Sequence, residues 1–389
     1  MEINEEEFIL LNNKRGKGKS MKKFTLLVLV AIGLFFSCKK DAEEVNNGGG
    51  QITPNDTSLV TVDLDLLPYD KLSDYNLFQG DLHELQPQND VYPYDILSHL
   101  FTDYAKKERF IWMPDTVSAT YTGDGEVLSL PIGTVIIKNF YYDNVQPLGA
   151  RRVIETRLLI RTELEWMFAD YIWNEDQTEA FFDVVGSFTD IQFINELGNT
   201  VDVNYRIPSE TECNTCHNVG EESIPIGLKP QSLNMIYDYP TGSMNQLDKW
   251  EQLGLLSGPR PSAGDIETVV DWRDESQDIG LRVRSYVDIN CSHCHSDGAY
   301  CDYRPMRFAF DETGNPDNLG ICIPPDDQSL GINQNEIVSA GFPENSMLYY
   351  RISSINEAER MPLTGRTIVH EEAKQMIEEW ISALSPPCD

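Results

Sequence analysis

The sequence predicts an α+β protein: an N-terminal β-rich domain, antiparallel and sandwich- or barrel-like, followed by a mainly α region. Three observations carry that expectation. Between residues 61 and 205, short β-branched and aromatic runs alternate with turn signals, and no helices are interleaved to build a parallel sheet. From 206 onward the apolar residues fall at helical spacing. The unit Cys-x-x-Cys-His also occurs twice in that second part, at 213–217 and at 291–295.

The elements follow in order. Residues 1–20 carry no folding pattern and read as an extension ahead of a start at Met21. From Met21 the chain runs MKKFTLLVLVAIGLFFSCKK: two lysines, an apolar run from Phe24 to Phe36, and a small residue before a cysteine. That is the layout of a secretory signal. It resembles the signal of bacterial lipoproteins, so 21–37 is expected to be removed and Cys38 lipidated. The apolar run is too short for a spanning helix, which needs roughly 20 residues. The expected location is the periplasmic side of a membrane or the cell surface. Residues 38–60 are polar and Gly-rich, a flexible tether. The 389-residue chain has 63 acidic against 30 basic residues, a net charge of −33. Nucleic acid is thereby excluded as a partner, since phosphates need Lys and Arg, and a basic partner protein is favoured.

Within 61–205, helical spacing of Ile96, Leu97, Leu100 and Tyr104 predicts a helix near 93–108. Strands are expected in RFIWMP, PIGTVIIKNFYY, RRVIETRLLIR, EWMFADYIWNE, EAFFDVVG and TDIQFIN, with turns at TGDG and ELGN. The segment 206–277 opens with the capping box Ser209-x-x-Glu212 just ahead of the first motif, and LDKWEQLGLL (247–256) is a short amphipathic helix. In 278–389 a helix over 278–290 runs into the second motif. The final helix, HEEAKQMIEEWISAL, sets Met376, Ile377, Trp380, Ile381 and Leu384 on one face.

Two cysteines three residues apart share one side of a helical turn, with a histidine beside them. Both thiols can add to the vinyl groups of one haem while the imidazole ligates its iron. The expected cofactors are therefore two covalently bound haem c groups, attached at Cys213 and Cys216 and at Cys291 and Cys294, with His217 and His295 as iron ligands. A zinc site from the two Cys pairs, a redox pair or two structural disulfides are the competing readings. His293 is the inner residue of its motif and is not expected to be a ligand. Cys301 and Cys322 flank an insertion and are expected to bridge, with Cys388 left over or competing for one of them.

The helix leading into the second motif, together with RMPLTGRTIVHEEAKQMIEEWISAL at the chain end, resembles the class I c-type cytochrome domain. That resemblance implies Met361, in Met361-Pro362, as the second axial ligand. A thioether opposite imidazole favours reduced iron and raises the potential. For the first motif IPIGLKPQSLN resembles a haem-edge loop, but no Met-Pro follows. Met235, Met244 or His370 could close the coordination, or the iron could stay open.

Over residues 75–384, phrases such as LFTDYAKKERFIWMP, LPIGTVIIKNF, DINCSHCH and RMPLTGRTIVHEE resemble a bacterial dihaem c-type cytochrome family of unassigned function. The resemblance implies an electron-accepting role near redox partner proteins such as quinoprotein dehydrogenases. The expected function is a lipid-anchored electron carrier between a periplasmic or surface dehydrogenase and respiratory acceptors. Two alternatives stand beside it. One is a dihaem peroxidase-like enzyme with one open haem and a nearby acid–base group. The other is a ligand-binding lipoprotein whose β domain grips a carbohydrate or partner protein through Trp112, Trp166, Trp173 and nearby tyrosines.

Overall fold

Strand β1 (Tyr92–Tyr94) pairs with β2 (Lys106–Trp112), and a long antiparallel sheet grows from that pair. A computed structural model of the chain describes residues 58–326 and 334–388. The signal, Cys38 and most of the tether lie outside the described residues. After a two-residue strand β3 (Ala119–Thr120) come β4 (Val135–Val145), β5 (Ala150–Arg161), β6 (Trp166–Trp173) and β7 (Ala180–Asp183). Spatial order is β1-β2-β4-β5-β6-β7, every neighbour antiparallel. A hairpin of β8 (Ser187–Ile194) and β9 (Thr200–Ile207) joins β4 through the single pair Val145 and Phe193.

The period-2 alternation of these strands sends their side chains into different cores. Phe110, Trp112, Val135, Ile137, Leu158, Ile160 and Tyr171 face one way and meet Leu72, Tyr75, Leu77 and Leu85 of the preceding segment. Ile111, Ile136, Leu159 and Trp166 face the other way and pack on Leu228, Leu233, Leu247, Trp250 and Ile289 from the motif-bearing half. Sheet and motif region therefore share a core, and Thr57–Asp389 is one compact unit. Instead of the expected closed barrel or two full sheets, one sheet is covered by loops and helices on both faces. Only at the far end of β4 does the β8–β9 hairpin lie over it, around Phe140, Tyr142, Ile191 and Tyr205.

The helix expected at 93–108 does not form. Its peptide groups are taken by distant partners: Asp95 N by Gln246 Oε1, Leu97 N by Ser232 O and Phe101 N by Asn290 Oδ1. Asp103 and Tyr104 then adopt left-handed φ of 49° and 64°, which ends any helical path. The apolar side of the pattern is still used, since Ile96 is buried in the shared core.

The helices follow the second-half expectation more closely. They are α1 (Glu210–His217), α2 (Pro230–Leu233), α3 (Gln246–Leu253), α4 (Ile279–Val287), α5 (Met347–Ser353) and α6 (Glu371–Ala383). Gly254 closes α3 at φ 78°. Helix α4 is capped by Asp278 and widens into a π-type turn over Asp288–Ser292, so Cys291 leaves the regular helix rather than riding on it. Helices α4 and α6 pack on each other around Val283, Val287, Met376, Ile377, Trp380 and Ile381.

The disulfide expectation is corrected. Cys322 bonds Cys388, and Cys301 is a free, buried thiol. Cys301 is held back at the second motif, where its N–H donates to Cys294 O at 2.9 Å. Cys322 instead sits on the short bridge beside Val338, where the chain end returns. Among the described residues no helix is long and apolar enough to cross a membrane.

Candidate functional site

Helix α1 exists because its first turn is capped reciprocally. Ser209 Oγ accepts from Glu212 N, and Glu212 Oε2 accepts from Ser209 N at 2.9 Å. Arg206 clamps the same carboxylate through Nε and Nη2 at 2.9 and 2.6 Å. Cys213, Cys216 and His217 follow on the remaining turns. Beyond the helix the chain folds back, and His217 Nδ1 donates to Ile224 O at 2.7 Å. That bond sets the tautomer and leaves Nε2 bare for a metal. Phe168 of β6 packs on the ring at 4.6 Å. Burial drives the His217 imidazole down to about 3, so it is the neutral form a metal requires.

At the second motif Cys294 N and His295 N both donate to Cys291 O, at 3.1 and 3.0 Å. His295 is buried against Phe308 and held down at about 4 by burial. Its Nδ1 has no partner, unlike that of His217.

The two motifs meet. Each is followed three residues after its histidine by a glycine with positive φ, Gly220 at 62° and Gly298 at 75°. Gly220 N donates to Gly298 O at 2.7 Å, and Val219 bridges Ala299. A Cβ on Gly298 would lie 3.3 Å from Gly220 N, so the close approach needs glycine there. Behind this contact the ligand atoms of Cys216, His293 and Cys294 all lie within 4.8 Å of one another. A hydrogen bond from Cys294, with His293 beside it, holds the Cys216 thiol well below its usual range. Burial pushes Cys213 and Cys291 up to about 12.

Next to the second motif is a mainly apolar cavity of about 310 Å³ whose wall includes Cys291, His295, Met306, Met347, Phe308 and Met361. Small-molecule sites start at roughly this size. Residues that carry no motif position Met361. Arg366, 3 % exposed, donates through Nε to Met361 O at 2.9 Å, and its other nitrogens reach the carbonyls of Ile368, Arg351 and Ser354. The buried Asp103 carboxylate accepts from Thr367 N, Thr367 Oγ1 and Ile368 N. Sequence reading missed both residues, because their partners lie across loops of unrelated sequence position.

Beside the first motif lies a smaller cavity of about 80 Å³, with Cys213, Cys216, His217, Thr102, Arg157 and His293 in its wall. It shares Cys216, His293, Pro362 and Thr364 with the larger one. None of the second ligands considered for this site from sequence lines it. Met235 precedes and Met244 lies in the hairpin of Ile236–Tyr239 with Gly242–Asn245, outside both cavity walls, and Met244 is 38 % exposed. His370 is stacked on Phe101 at 4.0 Å, donates to or accepts from Tyr286 OH at 3.1 Å, and borders the larger cavity. The only imidazole besides His217 in the wall of the smaller cavity is His293, whose Nδ1 is buried without a partner. Trp112, Trp166 and Trp173 are all buried, so these three tryptophans offer no exposed gripping surface.

The donor set of both motifs fits haem: two thiols and a neutral imidazole each, with room and a thioether wall at the second. Comparison of the chain with protein-family models, curated proteins and solved structures finds no match.

Proposed function

We propose that this chain is an exported, lipid-anchored dihaem c-type cytochrome that carries electrons between a dehydrogenase and respiratory acceptors. The observation that carries the reading is the pair of Cys-x-x-Cys-His units joined through Gly220 and Gly298, each with a histidine held neutral, His295 buried and His217 half-buried. Packing of α4 against α6 beside the second motif supports its class I cytochrome character. Haem bound at these motifs supplies a one-electron iron couple. The chain's own part is to attach, orient and insulate it. His217 and His295 would hold the iron of the two groups, the Arg366 and Asp103 contacts would present Met361 to the second, and His293 would complete the first. The acidic surface speeds encounter with a basic redox partner, a quinoprotein dehydrogenase being one class that fits.

The test is mass spectrometry and a pyridine haemochrome assay on protein expressed with haem-maturation machinery. Two haems per chain and acylated Cys38 are expected; absence of covalent haem overturns the reading. The absorption spectrum then separates a carrier, low-spin at both sites, from a peroxidase-like enzyme with one high-spin haem.

A second reading rests on the convergence of Cys216, His293 and Cys294, a sulfur–nitrogen donor set suited to zinc. Stoichiometric zinc in haem-free protein purified from the exported compartment would favour it.

A further inference from the structure

The face of the sheet turned toward the first motif carries a row of cations that neither motif explains. Register places Arg109 of β2 directly opposite Lys138 of β4, and Lys138 directly opposite Arg157 of β5. Lys107 lies two residues from Arg109 on the same side. Like charges opposed across strands are destabilising, and burial adds to the cost. Burial and the neighbouring guanidiniums hold Lys138 down at about 7 and Lys107 well below its usual range, so keeping all four basic groups charged calls for a compensating anion.

The protein supplies only part of it. Asp95 pairs with Arg109 at 2.6 Å, and Glu155 pairs with Arg157. Asp170 lies 3.9 Å from Arg157, but burial and the neighbouring Glu155 push its carboxyl well above the usual range. Among the described residues Lys107 and Lys138 have no carboxylate partner. Lys107 Nζ donates to Ala105 O at 3.0 Å, and Lys138 Nζ reaches Ile226 O at 3.5 Å. Arg157, Asp170 and Ile226 line the small cavity together with Cys213, Cys216 and His217, and Lys138 meets that wall through Ile226 O. Thr102, 4 % exposed, turns an unpartnered hydroxyl to the same cavity.

We propose that Lys138 and Arg157, backed by Lys107 and with the Thr102 hydroxyl as a further donor, seat the carboxylate side chains of the cofactor attached at Cys213 and Cys216. This rests on the dihaem reading. A haem carries two propionates, and charge-assisted bonds to ammonium and guanidinium groups are the strong ones. The sheet is then the charged wall of the first redox site, and it tunes that site alone. Fixed positive charge beside an iron favours its reduced state, so removing it lowers the potential.

The experiment is a spectroelectrochemical titration of full-length, haem-loaded protein as wild type, Lys138→Gln, Lys138→Arg and Arg157→Gln. With two haems retained per chain, Lys138→Gln and Arg157→Gln should each lower the first-site midpoint by about 59 mV, a tenfold change in the reduced-to-oxidised ratio for one electron. Lys138→Arg should restore the wild-type value, which a merely structural role would not do. Unchanged midpoints in a fully loaded Lys138→Gln protein, or a shift of the second site instead, overturn the proposal. Should Arg157→Gln fail to fold by stranding Glu155, Lys138→Gln decides alone, because it leaves no carboxylate behind. Wild-type protein without covalent haem would instead overturn the dihaem reading itself, and this assignment with it.

Discussion

The two Cys-x-x-Cys-His units share one spelling and have opposite surroundings. The first rides on a capped helix, its histidine tied back to Ile224 O, and looks onto a narrow cavity walled by a charged sheet. The second lies in a widened turn after α4, its histidine has a bare Nδ1, and it opens on a larger cavity with three methionines in its wall. The motif therefore fixes which donor atoms are on offer, while the wall sets the polarity around them.

The comparison can be broken outright by deleting one motif at a time. Cys291→Ala with Cys294→Ala should cut haem content from two to one per chain by haemochrome assay, and so should Cys213→Ala with Cys216→Ala. The surviving spectrum should differ between the two variants, methionine–histidine for the second site and bis-histidine for the first. Met361→Ala comes next. It should lower the second midpoint by more than about 59 mV, the one-electron equivalent of a tenfold ratio, and leave the first in place.

Stability separates the regions as well. Cys388→Ala opens the link to Cys322 across 66 residues and should cost roughly 2–4 kcal/mol in denaturant titration under oxidising conditions. Cys301→Ala should show no such loss, because that thiol is free. Asp103→Ala strands the N–H groups of Thr367 and Ile368 and should cost about 1–3 kcal/mol. It should also broaden the spectroscopic signature of the second site but not the first. The smallest effect is expected from Gly298→Ala, at about 1 kcal/mol, from a side chain forced to positive φ against Gly220.

Strands β4 to β8 were legible because their side chains alternate and their turns are polar, and α3, α4 and α6 because their apolar residues recur at helical spacing. The capping box of α1 was visible for the same reason: it is a contact within four residues. The false helix at 93–108 shows the limit. Its spacing is genuine and buries Ile96, yet Gln246, Ser232 and Asn290 claim its peptide groups from far away. The pairing of Cys322 with Cys388 was hidden likewise, since composition says that cysteines can bridge but not which ends of the chain meet.

By itself, then, the sequence determined the local chemistry: two Cys-x-x-Cys-His units, the helices on or beside which they lie, and an alternating β half. Only the tertiary structure decided that the motifs touch through Gly220 and Gly298, that His293 lines the cavities at both motifs while Met235 and Met244 line neither, and that Arg157 of the sheet walls the smaller one. The physical reason is range. Helical turns, caps and strand alternation are set by neighbours a few residues apart, whereas a cavity's wall is assembled from segments that pack together only when their shared core excludes water.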